Sequence, residues 1–224
     1  MQTLALLAFI PAAISAQVIL EDDFNDSAVN PSLWSVILPN AGSSVVESGG
    51  VLTTNGRGVL GSLADFTAPY KISGSFVMNH HYEHFNVVLR TDFSAGDYDE
   101  RRGILISFSN DGDDISIQRY NNGADWDLVD NKSYALTTGQ SYAFEIVDTG
   151  SLIKLVVNGQ LELSGSSNYS TGSKVGFYSR EFGFTSTSVD SFTFATIPEP
   201  TAISNIAGLS IFGLSMIRRK SRST

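Results

Sequence analysis

The stretch LIKLVVNGQLEL, Leu152–Leu163, decides the fold. Two runs rich in apolar and β-branched residues flank Asn158-Gly159. That dipeptide takes positive φ at both central positions of a two-residue turn, and its twist matches that of the strands on either side. The stretch therefore predicts a β-hairpin.

The same signal repeats outward from it. KISGSFVMN places Ile72, Phe76 and Met78 on one face, and FNVVLRTD places Phe85, Val87 and Leu89 opposite Asn86, Arg90 and Asp92. GILISFS alternates through Ile104, Ile106 and Phe108, and YAFEIV through Tyr142, Phe144 and Ile146. Period two with aromatic and β-branched residues is the pattern of half-buried strands. Turn residues separate the runs: NDGDD at Asn110–Asp114, NNG at Asn121–Gly123 and TTG at Thr137–Gly139. No window between the chain ends carries helical periodicity. Strands in this number and spacing predict an all-β, two-sheet sandwich over residues 17–197. The chain has no cysteine, which excludes a disulfide framework and thiol chemistry.

Several segments, in this order, resemble the concanavalin A-like lectin/glucanase (laminin G-like) domains, which implies a two-sheet antiparallel jelly-roll sandwich. They are DDFNDSAVNPSLWSV at Asp22–Val36, GGVLTT at Gly49–Thr54, IKLVVNGQLEL at Ile153–Leu163 and KVGFYSREFGFTSTSVDSFTF at Lys174–Phe194. The resemblance implies that Trp34 packs in the core and that the terminal VDSFTF strand pairs with the first strand. It also implies glycan chemistry, catalytic or not. The retaining hydrolases of such domains carry a Glu-x-Asp-x-Glu strand motif. Here DYDE at Asp97–Glu100 sits in a loop pattern, and Glu145 and Asp148 fall on opposite faces of one run. No catalytic pair emerges, so the expected activity is binding.

A sugar site combines an aromatic face with planar polar groups. Asn86, Arg90 and Asp92 supply the polar groups, and Tyr120 and Trp126 the rings. Trp126 stands in the polar stretch NNGADWDLVD, where it has no evident core role. Two rival readings stay open: a glycoside hydrolase or polysaccharide lyase with an unrecognised carboxylate pair, and a structural or adhesive matrix protein without glycan affinity. Asp22 and Asp23 at the first strand and Asp190 at the last are candidate ligands for a structural Ca²⁺, an ion that prefers oxygen donors. The cluster HHYEH holds all three histidines, His80, His81 and His84, and reads as a polar loop.

The ends read as export signals. Leu4–Ile14 is apolar, and small residues Ser15 and Ala16 follow, as in a signal peptide over residues 1–16 cut after Ala16. At the other end Pro198-Glu199-Pro200 leads into an apolar stretch, Thr201–Ile217, and then Arg218, Arg219, Lys220 and Arg222. As a helix those 17 residues would span roughly 25 Å, a marginal membrane span, with the basic cluster on the cytoplasmic side. This order of features, residues 198–224, resembles the PEP-CTERM sorting signal of Gram-negative bacteria. The resemblance implies an exosortase as processing partner, a transient inner-membrane anchor and a cell-surface or extracellular-matrix destination. Loss of the tail would leave 10 Lys and Arg against 22 or 23 Asp and Glu. A field of that sign disfavours nucleic acid and anionic lipid.

Overall fold

The period-two runs become strands in a computed structural model that describes residues 16–38, 42–56, 58–93, 102–122, 125–181 and 186–197. The signal segment before Ala16 and the tail with Pro198, Glu199, Pro200, Arg218 and Arg219 lie outside the described residues. Among the described residues no helix is long and apolar enough to cross a membrane. The strands there are β1 (Val18–Asp22), β2 (Trp34–Ile37), β3 (Ser44–Ser48), β4 (Val51–Asn55), β5 (Val59–Ser62), β6 (Tyr70–Met78), β7 (Glu83–Thr91) and β8 (Gly103–Ser109). They continue as β9 (Asp114–Asn122), β10 (Asp125–Ser133), β11 (Ser141–Asp148), β12 (Leu152–Val157), β13 (Gln160–Ser166), β14 (Lys174–Glu181) and β15 (Ser186–Thr196).

They form two antiparallel sheets, as the sequence predicts. Sheet one runs β13-β12-β11-β6-β15-β4-β3, and sheet two runs β10-β9-β8-β7-β14-β5-β2. In sheet one, β15 changes neighbour along its length: Ser186–Val189 pair with β4, and Phe192–Ala195 pair with β1. The β1 and β15 ends are tied together. Thr196 N–H donates to the Gln17 carbonyl at 2.9 Å, and Gln17 N–H donates to Thr196 Oγ1 at 3.2 Å. The β12–β13 hairpin turns at Asn158 and Gly159, whose φ values are 50° and 80°.

Alternation sends one side of each sheet into a shared core. Ile72, Phe76 and Met78 from β6 meet Phe85, Val87 and Leu89 from β7, all fully buried. The Phe76 and Phe85 rings stack at 4.5 Å between the sheets. Burying each such side chain contributes roughly 1.5–3 kcal/mol. Trp34 packs edge-to-face on Phe177 at 5.8 Å and on Phe192 at 5.5 Å. Its indole N–H donates to Asp22 Oδ2 at 2.7 Å, so the ring's polar edge is satisfied inside the sandwich.

One strand breaks its own alternation. Val88 pairs with Gly176 and Thr91 with Lys174, so β7 places Leu89 and Arg90 where β14 places one residue. Arg90 has a φ of 56°. Such a bulge bends the strand and re-aims a side chain. Here it turns Arg90 inward, next to Leu89, instead of outward with Asn86.

Candidate functional site

The outer face of sheet two carries a cleft of about 340 Å³. Strand parity builds it. Ser107, Ser116 and Gln118 are the outward residues of β8 and β9, between core residues Ile106, Phe108, Ile115 and Ile117. Asn86 from β7 and Tyr178 from β14 are cross-strand partners and share that face. Tyr120 and Trp126 are partners across β9 and β10 and form the opposite wall. Trp126 is 52% exposed. The cleft spans five strands, β10 to β14, or four spacings of about 19 Å in all at ordinary strand spacing, with β8 between the two walls. His84, Ser109 and Asp114 complete one end, and Leu105 the floor.

Beside the polar cleft the same face is apolar. Val59, Val88, Leu105 and Tyr178 form a small buried cluster, packed by Ile37, Phe93 and Tyr120. Phe93 lies over a floor made flat by two glycines. A Cβ on Gly61 would sit 3.0 Å from the Phe93 ring, and one on Gly176 would sit 2.5 Å from it. The face is thus half covered and half open, and the open half holds hydroxyls, amides and rings.

Of the residues singled out from sequence, Asn86, Tyr120 and Trp126 line this cleft. Arg90 does not, which corrects the expectation that it shares an outward face with Asn86. The bulge points it into the sandwich, where it is 7% exposed. Its Nε–H donates to Asp148 Oδ2 at 2.7 Å, its Nη2 pairs with Asp148 Oδ1, and its Nη1 donates to the carbonyls of Ser167 at 2.9 Å and Tyr169 at 3.3 Å. Every donor group is committed to the fold. The ion pair holds the guanidinium charged against the opposing effect of burial. Asp92 follows the end of β7, is exposed, and is not part of the cleft lining.

The acidic residues at the strand ends are not assembled as expected. β1 and β15 are adjacent, yet Asp22 turns to Trp34 Nε1 and to the Phe24 N–H, at 2.7 and 3.0 Å. Asp23 Oδ2 accepts from Asn25 Nδ2 at 2.5 Å. Asp190 falls at a register irregularity of β15, is exposed, and accepts from Ser75 Oγ at 3.3 Å. Among the described residues no three His, Cys, Asp or Glu side chains stand together as a metal-holding group. In HHYEH, Glu83 is buried and receives the His80 N–H at 3.2 Å, while His84 reaches the cleft.

Sequence reasoning missed Tyr178, Gln118, Ser107, Ser109, Ser116 and Asp114. Strand parity alone could have placed Tyr178 outward, since Phe177 is inward; the serines looked like ordinary solvent-facing positions.

Solved structures with this architecture are numerous at low identity. A carbohydrate recognition domain, that of Emp46p, aligns with a TM-score of 0.61 and 11% identity, covering 77% of this chain and 94% of that one. The endo-β-1,3-glucanase of Pyrococcus furiosus aligns with a TM-score of 0.59 and 12% identity, covering 81% and 94%. The carbohydrate-binding module CBM66 of Bacillus subtilis gives 0.50 and 14%, covering 74% and 92%. The fold is that of lectin and glucanase jelly rolls. No protein-family model matches the sequence, and no curated protein matches it.

Proposed function

We propose that the sheet-two cleft binds a neutral polysaccharide and that the protein acts as a non-catalytic glycan-binding module. The observation that carries this is Trp126, a large ring left half in water at the wall of a cleft lined by amides and hydroxyls. An aromatic face of that kind accepts the C–H side of a sugar ring. Asn86 and Gln118 supply donors and acceptors for sugar hydroxyls. Neutral glycans are favoured because the lining contains one carboxylate, Asp114, and no Lys or Arg among the described residues. The structures similar in fold include glycan-binding domains and a glycanase, so fold does not separate binding from hydrolysis. The lining does favour binding: a retaining glycosidase places two carboxyl groups about 5–5.5 Å apart.

The test is affinity electrophoresis of the full-length chain through gels containing neutral or acidic polysaccharides, with released sugar measured in parallel. Retardation without released sugar, abolished by Trp126→Ala, is the expected result. Released sugar would replace this reading with a glycanase; absence of retardation on every gel would replace it with a structural or adhesive matrix role.

In the same reading the chain is exported, held transiently at the inner membrane, processed by an exosortase near Pro198-Glu199-Pro200 and delivered to the cell surface or extracellular matrix. The support is the sequence resemblance of residues 1–16 and 198–224 to export and PEP-CTERM signals. Intact-mass measurement of the secreted protein should find Arg218–Thr224 missing; a secreted chain that retains them would refute the sorting route.

A further inference from the structure

The outer face of sheet two continues past the end of the cleft. There Gly176 of β14 and Gly61 of β5 are cross-strand partners, so two neighbouring outward positions carry no side chain. Glycines in strand interiors weaken a sheet and mark places where another group approaches the backbone closely. Here that group is the Phe93 ring. The three atoms nearest to a Cβ built on Gly61 all belong to it, and a Cβ on Gly176 would stand 2.5 Å from its Cζ.

The chain holds the ring in place from behind. After the bulge at Leu89 and Arg90, the Arg90 carbonyl accepts the N–H groups of Thr171 and Gly172 at 3.1 and 3.2 Å. The Phe93 N–H then donates to Thr91 Oγ1 at 3.3 Å. Phe93 itself has a φ of 50°, a left-handed conformation that a bulky residue rarely adopts. Strain of this kind persists only where the surrounding structure over-determines it.

The glycine slot is continuous with the cleft. Leu105 and Tyr178 line the cleft and also belong to the apolar cluster on which Phe93 packs. Beyond Gly61 the next outward position is its partner on β2, the exposed Ser35. Without the ring the open face would run on from β14 across β5 to β2, two further strand spacings or about 10 Å.

We propose that Phe93 is a specificity-determining residue, which fills a ring-sized slot and fixes where a bound neutral glycan stops. This rests on the glycan-binding reading of the cleft. A chain crossing the sheet from Trp126 meets the Phe93 ring beside Tyr178 and must end or turn outward there. The site therefore takes a short stretch of glycan, and affinity stops rising once that stretch fills the cleft from β10 to β14.

Isothermal titration of the full-length chain with cello-, laminari- and manno-oligosaccharides, from disaccharide to octasaccharide, tests it. In the parent the affinity should level off within the series. Phe93→Ala should move that limit to longer members and bind the octasaccharide about fourfold tighter, the effect of burying one further CH₂-sized group. The shortest members should bind as before. Gly61→Ala added to Phe93→Ala puts a methyl group into the emptied slot and should restore the parental limit. If Phe93→Ala does not melt cooperatively, Phe93→Val, which leaves the slot partly open, takes its place. An unchanged length dependence in the Phe93 variant overturns this role and leaves the glycan reading intact. Absence of binding by parent and variant alike removes the glycan reading and this role together.

Discussion

Arg90 on β7 and Asp148 at the end of β11 are joined by a two-point ion pair that bridges the two sheets through the interior of the sandwich. Asp148 is fully buried and also caps the turn behind it, accepting the Gly150 N–H at 2.8 Å. Removing one partner leaves the other charge buried and alone, which typically costs 3–5 kcal/mol. Asp148→Asn and Arg90→Met should each lower the unfolding free energy by that order, read from the fall in the urea midpoint. Arg90→Met combined with Asp148→Leu should recover much of the loss. Additive losses in the double variant would refute the pairing.

Trp126 makes the opposite case. Half of it is already in water, so Trp126→Ala should change unfolding free energy by less than about 0.5 kcal/mol while abolishing glycan retardation. A large stability loss would show that the ring is a structural cover for the β9–β10 edge.

Gly176 lies under Phe93, and a methyl group there would also meet the Leu60 carbonyl at 2.5 Å. Gly176→Ala should destabilise by roughly 1–3 kcal/mol, the range for overpacking, and should displace Phe93. Phe93 intensities in a heteronuclear spectrum, compared with those of the parent, check the displacement.

Trp34→Phe keeps an aromatic ring, though a smaller one, and deletes the N–H that Asp22 accepts. Loss of a donor to a part-buried carboxylate is expected to cost about 1–3 kcal/mol. Chemical denaturation at neutral pH measures it; no change would mean that water replaces the indole without penalty.

The sandwich was legible because most of its inward positions are apolar. Phe85, Val87 and Leu89, or Ile104, Ile106 and Phe108, announce both the strand and its face. Trp126 was legible for the inverse reason, a large ring in a polar stretch. Arg90 was not, because the bulge depends on how many residues β14 sets against β7, and that pairing is remote in sequence. The matching clue was Asp148, which continues the inward parity of Tyr142, Phe144 and Ile146 into a buried carboxylate. Glu47, 5% exposed opposite Leu52 on β3, was hidden in the same way: the strand pairing that makes it interior leaves no mark in VVESGG. Phe93 on its two glycines needed the β5–β14 pairing, which no local pattern encodes.

The knot between Gln17 and Thr196 has a mechanical consequence. Because β1 and β15 are antiparallel and both outer ends meet at that knot, tension applied through the two ends of the folded unit meets the ladder's hydrogen bonds one after another. The domain would peel open from that corner under modest force instead of resisting in shear. A force that the folded unit is to withstand must then enter through the sheet-two face or through one end alone.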